Sequence, residues 1–250
     1  MKILVAFLLM ALCSVHLLAQ GTEPINTDRP DQSDGTYILP TKMIQIESGI
    51  IFSQTDRQLS DIIHTSMLRY GIAKKWELRL LTNEGLSGIP VIANNSFGLS
   101  PITLSAKHAL IDQKGMIPAI TLVGYLKIPF AASKNNQLNY WAPSILLAFQ
   151  NDLSDKLSVG YNAGLSWDGI EKKNSYLFTV SVGYSVSRQL SAFGEYFSNY
   201  SSLFSPSHNV DFGLEYLIKP TLQFDIAGGT SLFDNGASIF ETMGVSYRFK

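Results

Sequence analysis

Along most of this chain apolar and polar residues take turns. From Thr242 to Phe249, Met243, Val245, Tyr247 and Phe249 fall on one face, and Thr242, Gly244, Ser246 and Arg248 on the other. Successive side chains of a strand point to opposite sides, so a period of two predicts a β-strand with one apolar face. The alternation begins at Met43–Phe52, where Ile44, Ile46, Ile50 and Phe52 oppose Gln45, Glu47 and Gly49. It returns at Ile62–Ile72, Trp76–Asn83, Ile102–Leu110, Ala119–Ile128, Trp141–Gln150, Leu157–Trp167, Tyr176–Val186, Leu190–Ser198, Asn209–Ile218, Leu222–Leu232 and Ile239–Phe249, giving twelve predicted strands.

The connections alternate as well. Those after odd-numbered strands (Ser53–Asp61, Glu84–Pro101, Pro129–Tyr140, Asp168–Ser175, Asn199–His208 and Phe233–Ser238) are mostly long and polar, whereas those after even-numbered strands are mostly short, such as Ala73–Lys75, Ser187–Gln189 and Lys219–Thr221. An even strand count with long loops on one side and short turns on the other predicts an all-β fold, a transmembrane up-and-down antiparallel β-barrel of about twelve strands. The competing architecture is a soluble barrel or sandwich with the apolar face inside. Tyr161, Trp167, Phe178, Tyr184, Phe212, Tyr216, Phe224, Tyr247 and Phe249 would overfill such an interior, and the Gly/Ser face would be an odd exterior. Facing lipid, Trp76, Trp141, Trp167, Tyr184, Tyr216 and Phe249 instead supply interfacial girdles.

Composition narrows the reading. The 250 residues carry a net charge of −1, which excludes a basic field for nucleic acid. The only long apolar run lies at the N-terminus. Lys2, the core Ile3–Leu12 and the Ala19–Gln20 neighbourhood predict a signal peptide over 1–20. Cys13 is the only cysteine, and Leu12 sits where lipoprotein processing wants a small residue, so the mature chain is expected to lack disulfides and thiolate metal sites. Residues 21–42 form a polar, turn-rich leader, and 43–250 the barrel. The C-terminal Gly244, Tyr247 and Phe249 fit an outer-membrane assembly signal, implying the barrel assembly machinery, membrane lipid and lipopolysaccharide as partners.

The polar face then encloses the lumen. By phase, Glu47, Arg69, Glu77, Arg79, Lys107, Lys127, Glu195, Asp211, Glu215, Asp225 and Arg248 point inward. Both signs are present, so they either pair across strands and brace the wall or line a solute path and set its selectivity. Within the leader, Asp28, Arg29 and Asp31 make a candidate plug at the periplasmic mouth, with Arg29 bidentate on lumen carboxylates; the alternative is a passive tether.

Several stretches carry a family resemblance. Asn26-Thr27-Asp28-Arg29-Pro30-Asp31, Gln45-Ile46-Glu47-Ser48-Gly49, Leu68-Arg69-Tyr70-Gly71 with Trp76-Glu77-Leu78-Arg79, Leu153–Asn162 and Phe193-Gly194-Glu195 make the chain similar to the outer-membrane transporters associated with the phenol meta-cleavage degradation pathway. The resemblance implies a barrel admitting small solutes, including aromatic or other hydrophobic compounds, and names no catalytic residues.

Two other classes compete with a channel. One is a structural or ligand-binding barrel without transport. The other is an outer-membrane lipid hydrolase using a Ser–His pair. Of the mature histidines His64, His108 and His208, His64-Thr65-Ser66 and Ser207-His208-Asn209 lie near serines, but neither matches the local pattern expected of such an enzyme. No cofactor is expected: the histidines lack metal-ligand spacing, and Gly228-Gly229 sits in a strand, where it eases packing.

Overall fold

The computed structural model describes residues 23–87, 96–201, 205–233 and 238–249. The expected signal peptide and Lys250 lie outside the described residues. Thirteen strands follow in order: β1 (Ile44–Thr55), β2 (Gln58–Ala73), β3 (Trp76–Ser87), β4 (Ser96–Leu99), β5 (Thr103–Ile111), β6 (Ala119–Lys127), β7 (Ala142–Asp152), β8 (Leu157–Trp167), β9 (Asn174–Ser185), β10 (Leu190–Ser201), β11 (Ser207–Lys219), β12 (Leu222–Leu232) and β13 (Ser238–Phe249). Neighbours pair antiparallel, and β1 pairs along its whole length with β13, from Ile44 opposite Phe249 to Thr55 opposite Ser238. The sheet therefore closes into a barrel of twelve wall strands, which removes every edge but that of β4.

β4 corrects the expected loop Glu84–Pro101. The outer part of β3 extends to Ser87 and pairs with β4, from Glu84 opposite Leu99 to Ser87 opposite Ser96, and residues 88–95 lie outside the description. The expected loop Ser53–Asp61 is also corrected. Here β1 and β2 run on to a two-residue turn at Asp56 and Arg57, both with positive φ, 51° and 63°. A turn with two left-handed central residues matches the twist of a hairpin, so the polar side chains there belong to strand ends.

The two faces are reversed relative to a soluble protein. Ile44, Ile46, Leu68, Leu78, Leu104, Ile145, Phe178, Phe212, Phe224, Met243 and Val245 are exposed on the outside. Gln45, Glu47, Arg69, Glu77, Arg79, Lys107, Asp211 and Asp225 are buried inside. An exposed apolar belt around a polar interior suits hydrocarbon outside and water or polar protein within. The short turns at 74–75, 153–156, 186–189 and 220–221 share one rim with the start of β1 and the end of β13, and that rim is assigned to the periplasm.

Candidate functional site

The leader runs through the barrel lumen. It enters beside the β11–β12 turn, where the Ile25 amide donates to the Pro220 carbonyl at 2.7 Å, and leaves along β2, where the Lys42 amide donates to the Gly71 carbonyl at 2.7 Å. Between these points it touches the wall nearly all the way round. The Asp28 and Arg29 amides donate to Glu47 on β1 at 3.1 Å each, and the Leu39 amide donates to Glu77 on β3 at 2.7 Å. Asp34 exchanges backbone hydrogen bonds with the Asn162 amide on β8 at 2.8 and 3.1 Å. Thr36 meets Gln150 on β7 and Thr121 on β6. Ser33 meets Thr179 on β9 and Glu195 on β10. These side chains cap backbone groups that a non-helical, non-strand segment cannot satisfy by itself.

Ion pairs concentrate on one side. Asp28 lies among Arg79 at 2.9 Å, Lys107 at 3.0 Å and Arg69 at 3.5 Å. Arg79 also binds Asp34 at 2.7 Å, while Arg69 binds Glu47 and Glu77 at 2.7 Å each. Burial alone would raise the Asp28 carboxyl, but Arg69, Lys107 and Arg79 outweigh it and hold it far below the ordinary carboxylate range. The three basic side chains of β2, β3 and β5 are thus consumed by the leader and their own neighbours.

Arg29 points the other way. Its guanidinium donates from Nη2 to Asp225 at 3.0 Å and to Thr242 at 2.9 Å, and from Nη1 to Thr65 at 3.1 Å. The expected bidentate grip on carboxylates is corrected to one carboxylate and two hydroxyls. The guanidinium lies over Gly49 and Gly244, which pair across β1 and β13. A β-carbon on Gly49 would fall 2.2 Å from Nη2, and one on Gly244 would fall 2.5 Å from Nε. The glycine assigned to assembly is therefore also the floor under Arg29. Tyr247 and Phe249 make an edge-to-face pair at 4.7 Å.

The wall of β10–β12 is acidic. Glu195 and Asp211 are cross-strand neighbours, as are Glu215 and Asp225. Glu195 takes hydrogen bonds from the Gln32 amide and Ser33. Asp211 is 0% exposed, and neither of its carboxylate oxygens has a hydrogen-bond partner among the described residues. Asp31 of the leader faces this group; burial first, then Glu215, Glu195 and Asp211, raise its carboxyl well above the usual range. Gly229 makes room here: its β-carbon would lie 2.5 Å from the Phe240 ring and 2.6 Å from Asp211.

A cavity of about 730 Å³ opens beside the leader on the periplasmic side, with Asp31, Glu215 and Gln223 on its acidic flank and Ser158, Gly160 and Ser181 on the other. Across the lumen, Val123, Leu146 and Ala148 form a small apolar cluster with Tyr125 and Leu177.

Of the residues expected inside, Glu47, Arg69, Glu77, Arg79, Lys107, Glu195, Asp211, Asp225 and Arg248 are buried, and Glu215 is half-buried against the cavity. Lys127 is exposed at the outer end of β6, away from the network, because the strand ends there and its side chain clears the rim. Arg248 holds the leader's entry through the Glu23 and Pro24 carbonyls and the Tyr37 hydroxyl. Asp34, Thr65, Tyr125, Asn162 and Thr242 complete the contacts without having been singled out in the sequence. For Thr65, Tyr125, Asn162 and Thr242 the position within an alternating strand was the only signal, and it is shared by many other residues; Asp34 lies in the leader, which has no repeating pattern. Among the described residues no cluster of His, Cys, Asp and Glu is placed to hold a metal ion.

Residues 27–249 match the family described as "Putative MetA-pathway of phenol degradation". None of the curated proteins matches the chain. Among solved structures, the COG4313 outer membrane channel from Pseudomonas putida F1 is similar in fold, with a TM-score of 0.63 at 17% identity over 84% of this chain and 97% of that one. The NanC porin gives 0.61 at 11% identity over 81% and 98%. The KdgM porin in complex with disordered oligogalacturonate gives 0.59 at 13% identity over 82% and 99%. The architecture is thus that of outer-membrane barrels.

Proposed function

Since the chain belongs to the family described as "Putative MetA-pathway of phenol degradation" and folds as an outer-membrane barrel, we propose that it is a channel for small solutes, stoppered by its own leader and selective through its acidic wall. One observation carries the selectivity. The leader ties up Arg69, Arg79 and Lys107, while both oxygens of Asp211 have no hydrogen-bond partner among the described residues. An unpaired carboxylate in a narrow, poorly hydrated passage repels anions and attracts cations. Glu215, on the same face of β11, lines the periplasmic cavity.

The solute class in this reading is small neutral or cationic compounds, the aromatic compounds suggested by the family's description among them. Oligogalacturonate, the polyanion bound by the KdgM porin, is a poor fit to these carboxylates. Arg29 and Asp28 act in this reading as the latch of the plug, and the wall residues Glu47, Glu77, Glu195 and Asp225 as its catches.

Planar-bilayer recording tests both parts. Arg29→Ala is expected to raise single-channel conductance or open time by loosening the leader from Asp225 and Thr242. Under a salt gradient the reversal potential is expected to show cation preference, weakened by Asp211→Asn. Unaltered currents in Arg29→Ala would make the leader a passive tether, and anion preference would remove the role given to Asp211.

A further inference from the structure

The outer surface of β1–β3 carries an arrangement the channel does not use. Ser48, His64 and Glu84 come from three adjacent strands and all point outward, because each is out of phase with the inward Glu47, Thr65 and Gly85 beside it in sequence. The Ser48 hydroxyl lies 2.9 Å from His64 Nε2, and His64 Nδ1 lies 3.4 Å from a Glu84 carboxylate oxygen. A second hydroxyl, Ser66, lies 3.4 Å from Ser48 Oγ and 3.5 Å from the same Nε2. The His64 and Glu84 side chains are 44% and 45% exposed.

These polar groups interrupt an apolar stripe. Below them on the same outward face are Ile44, Ile46, Leu68, Tyr70, Leu78 and Leu80, all exposed. Lipid-facing polar groups are costly without a task or water, which makes depth informative. Trp76, stacked on His108 at 4.0 Å, marks the periplasmic girdle. Glu84 is eight residues further along β3. At ~3.4 Å per residue and a tilt of about 40°, that is roughly 20 Å along the membrane normal. The apolar band of such barrels is about 25 Å tall, so Glu84 and its cross-strand neighbour His64 sit near its outer edge, where the ester linkages of outer-leaflet lipids meet water, and Ser48, in register with Thr82 through Ser66, about 5 Å deeper.

We propose that Ser48, His64 and Glu84 form a catalytic triad that hydrolyses fatty acyl esters of lipids lying against the barrel. Nucleophile, base and orienting carboxylate stand in the order such chemistry needs, and the spacing to Glu84 is of the looser kind found without substrate. Glu84 holds the His64 tautomer that carries its proton on Nδ1, leaving Nε2 free to accept. Ser48 Oγ bonds to the acyl carbonyl carbon as its proton passes to Nε2. The imidazolium then gives that proton to the alcohol oxygen as the ester C–O bond breaks, leaving acyl-Ser48. Water, deprotonated by Nε2, attacks the acyl group, and release of the fatty acid returns the proton to Ser48. Backbone amides of the wall are engaged in strand pairing, so the Ser66 hydroxyl is the donor placed to stabilise the oxyanion.

The full chain in detergent, and reconstituted in phosphatidylethanolamine vesicles with or without lipopolysaccharide, provides the test. A fluorophosphonate probe is expected to label Ser48, with fatty acid released from phospholipid, lipopolysaccharide or both. Ser48→Ala should abolish labelling, and His64→Asn should slow labelling and hydrolysis by at least about 10³-fold. Ser66→Ala should keep the label but slow turnover by about 10²-fold. Single-channel currents of all three variants should match the parent, which shows that each is folded and separates this activity from the channel. Absence of label at Ser48 in conducting protein, label at another serine, or hydrolysis surviving Ser48→Ala overturns the assignment.

Discussion

Replacing Asp28 by alanine tests the plug most directly. In the seated leader this carboxylate meets three cations. Arg69 would retain Glu47 and Glu77, and Arg79 would retain Asp34. Lys107 would lose both its contacts, at 3.0 and 3.2 Å, and it pairs with no other carboxylate among the described residues. Removing one partner of a buried ion pair costs about 3–5 kcal/mol, because the other charge is left desolvated. The loss falls on the seated state alone, since Lys107 regains water once the leader leaves. The low end is the better figure, as water entering the alanine cavity softens the penalty. About 3 kcal/mol corresponds to roughly a hundredfold shift from seated to unseated. In planar bilayers the fraction of time spent open should rise by about that factor until it saturates. Adding Lys107→Met should return a large part of the effect, because the stranded charge is gone. Equal open probabilities for parent and Asp28→Ala would refute the reasoning, as would a double variant as open as the single one.

Other expectations follow from the same contacts. Gly49→Val should dislodge Arg29, since even a β-carbon would lie 2.2 Å from its Nη2; the variant should show the long openings of Arg29→Ala with barrel assembly intact by gel mobility. Seating of the leader should weaken as pH rises. Burial first, and then Glu215, Glu195, Asp211 and Asp28, raise the Asp31 carboxyl in the seated leader, so its contribution is complete below the free carboxylate value of about 3.9 and is lost as pH climbs through the raised one. Open probability should therefore increase from acid toward neutral pH, and Asp31→Asn should flatten the profile; a profile unchanged by that substitution would discard the explanation. Asn162→Leu should leave the Asp34 backbone amide and carbonyl unsatisfied against a buried wall position, Asn162 being 1% exposed, costing about 1–3 kcal/mol of seating, read as a higher rate of protease cleavage within the leader.

Much of the site was legible as placement and little of it as partnership. The phase of each strand put Glu47, Arg69, Glu77 and Arg79 on the polar face, where the closed barrel buries them. Lys127 had the same phase and ended exposed, because phase says nothing about where a strand stops. The leader's Asp28 and Arg29 were visible as charges in a polar segment. That Asp28 draws three cations while Asp31, three residues on, faces carboxylates depends on how the leader folds across the lumen. The roles of Gly49 and Gly244 were hidden for the same reason: a glycine on a polar face reads as a small residue until a guanidinium is found lying on it.

By itself the sequence determined the twelve wall strands and which side of each is greasy, because backbone geometry fixes a period of two and that period is local. The tertiary structure decided which of those side chains meet. Ser48, His64 and Glu84 are separated by turns and whole strands, and a slip of one residue in the pairing of β1, β2 or β3 would turn one of them into the lumen. Register across neighbouring strands, and the course of a leader with no repeating pattern of its own, arise only when the sheet closes on itself.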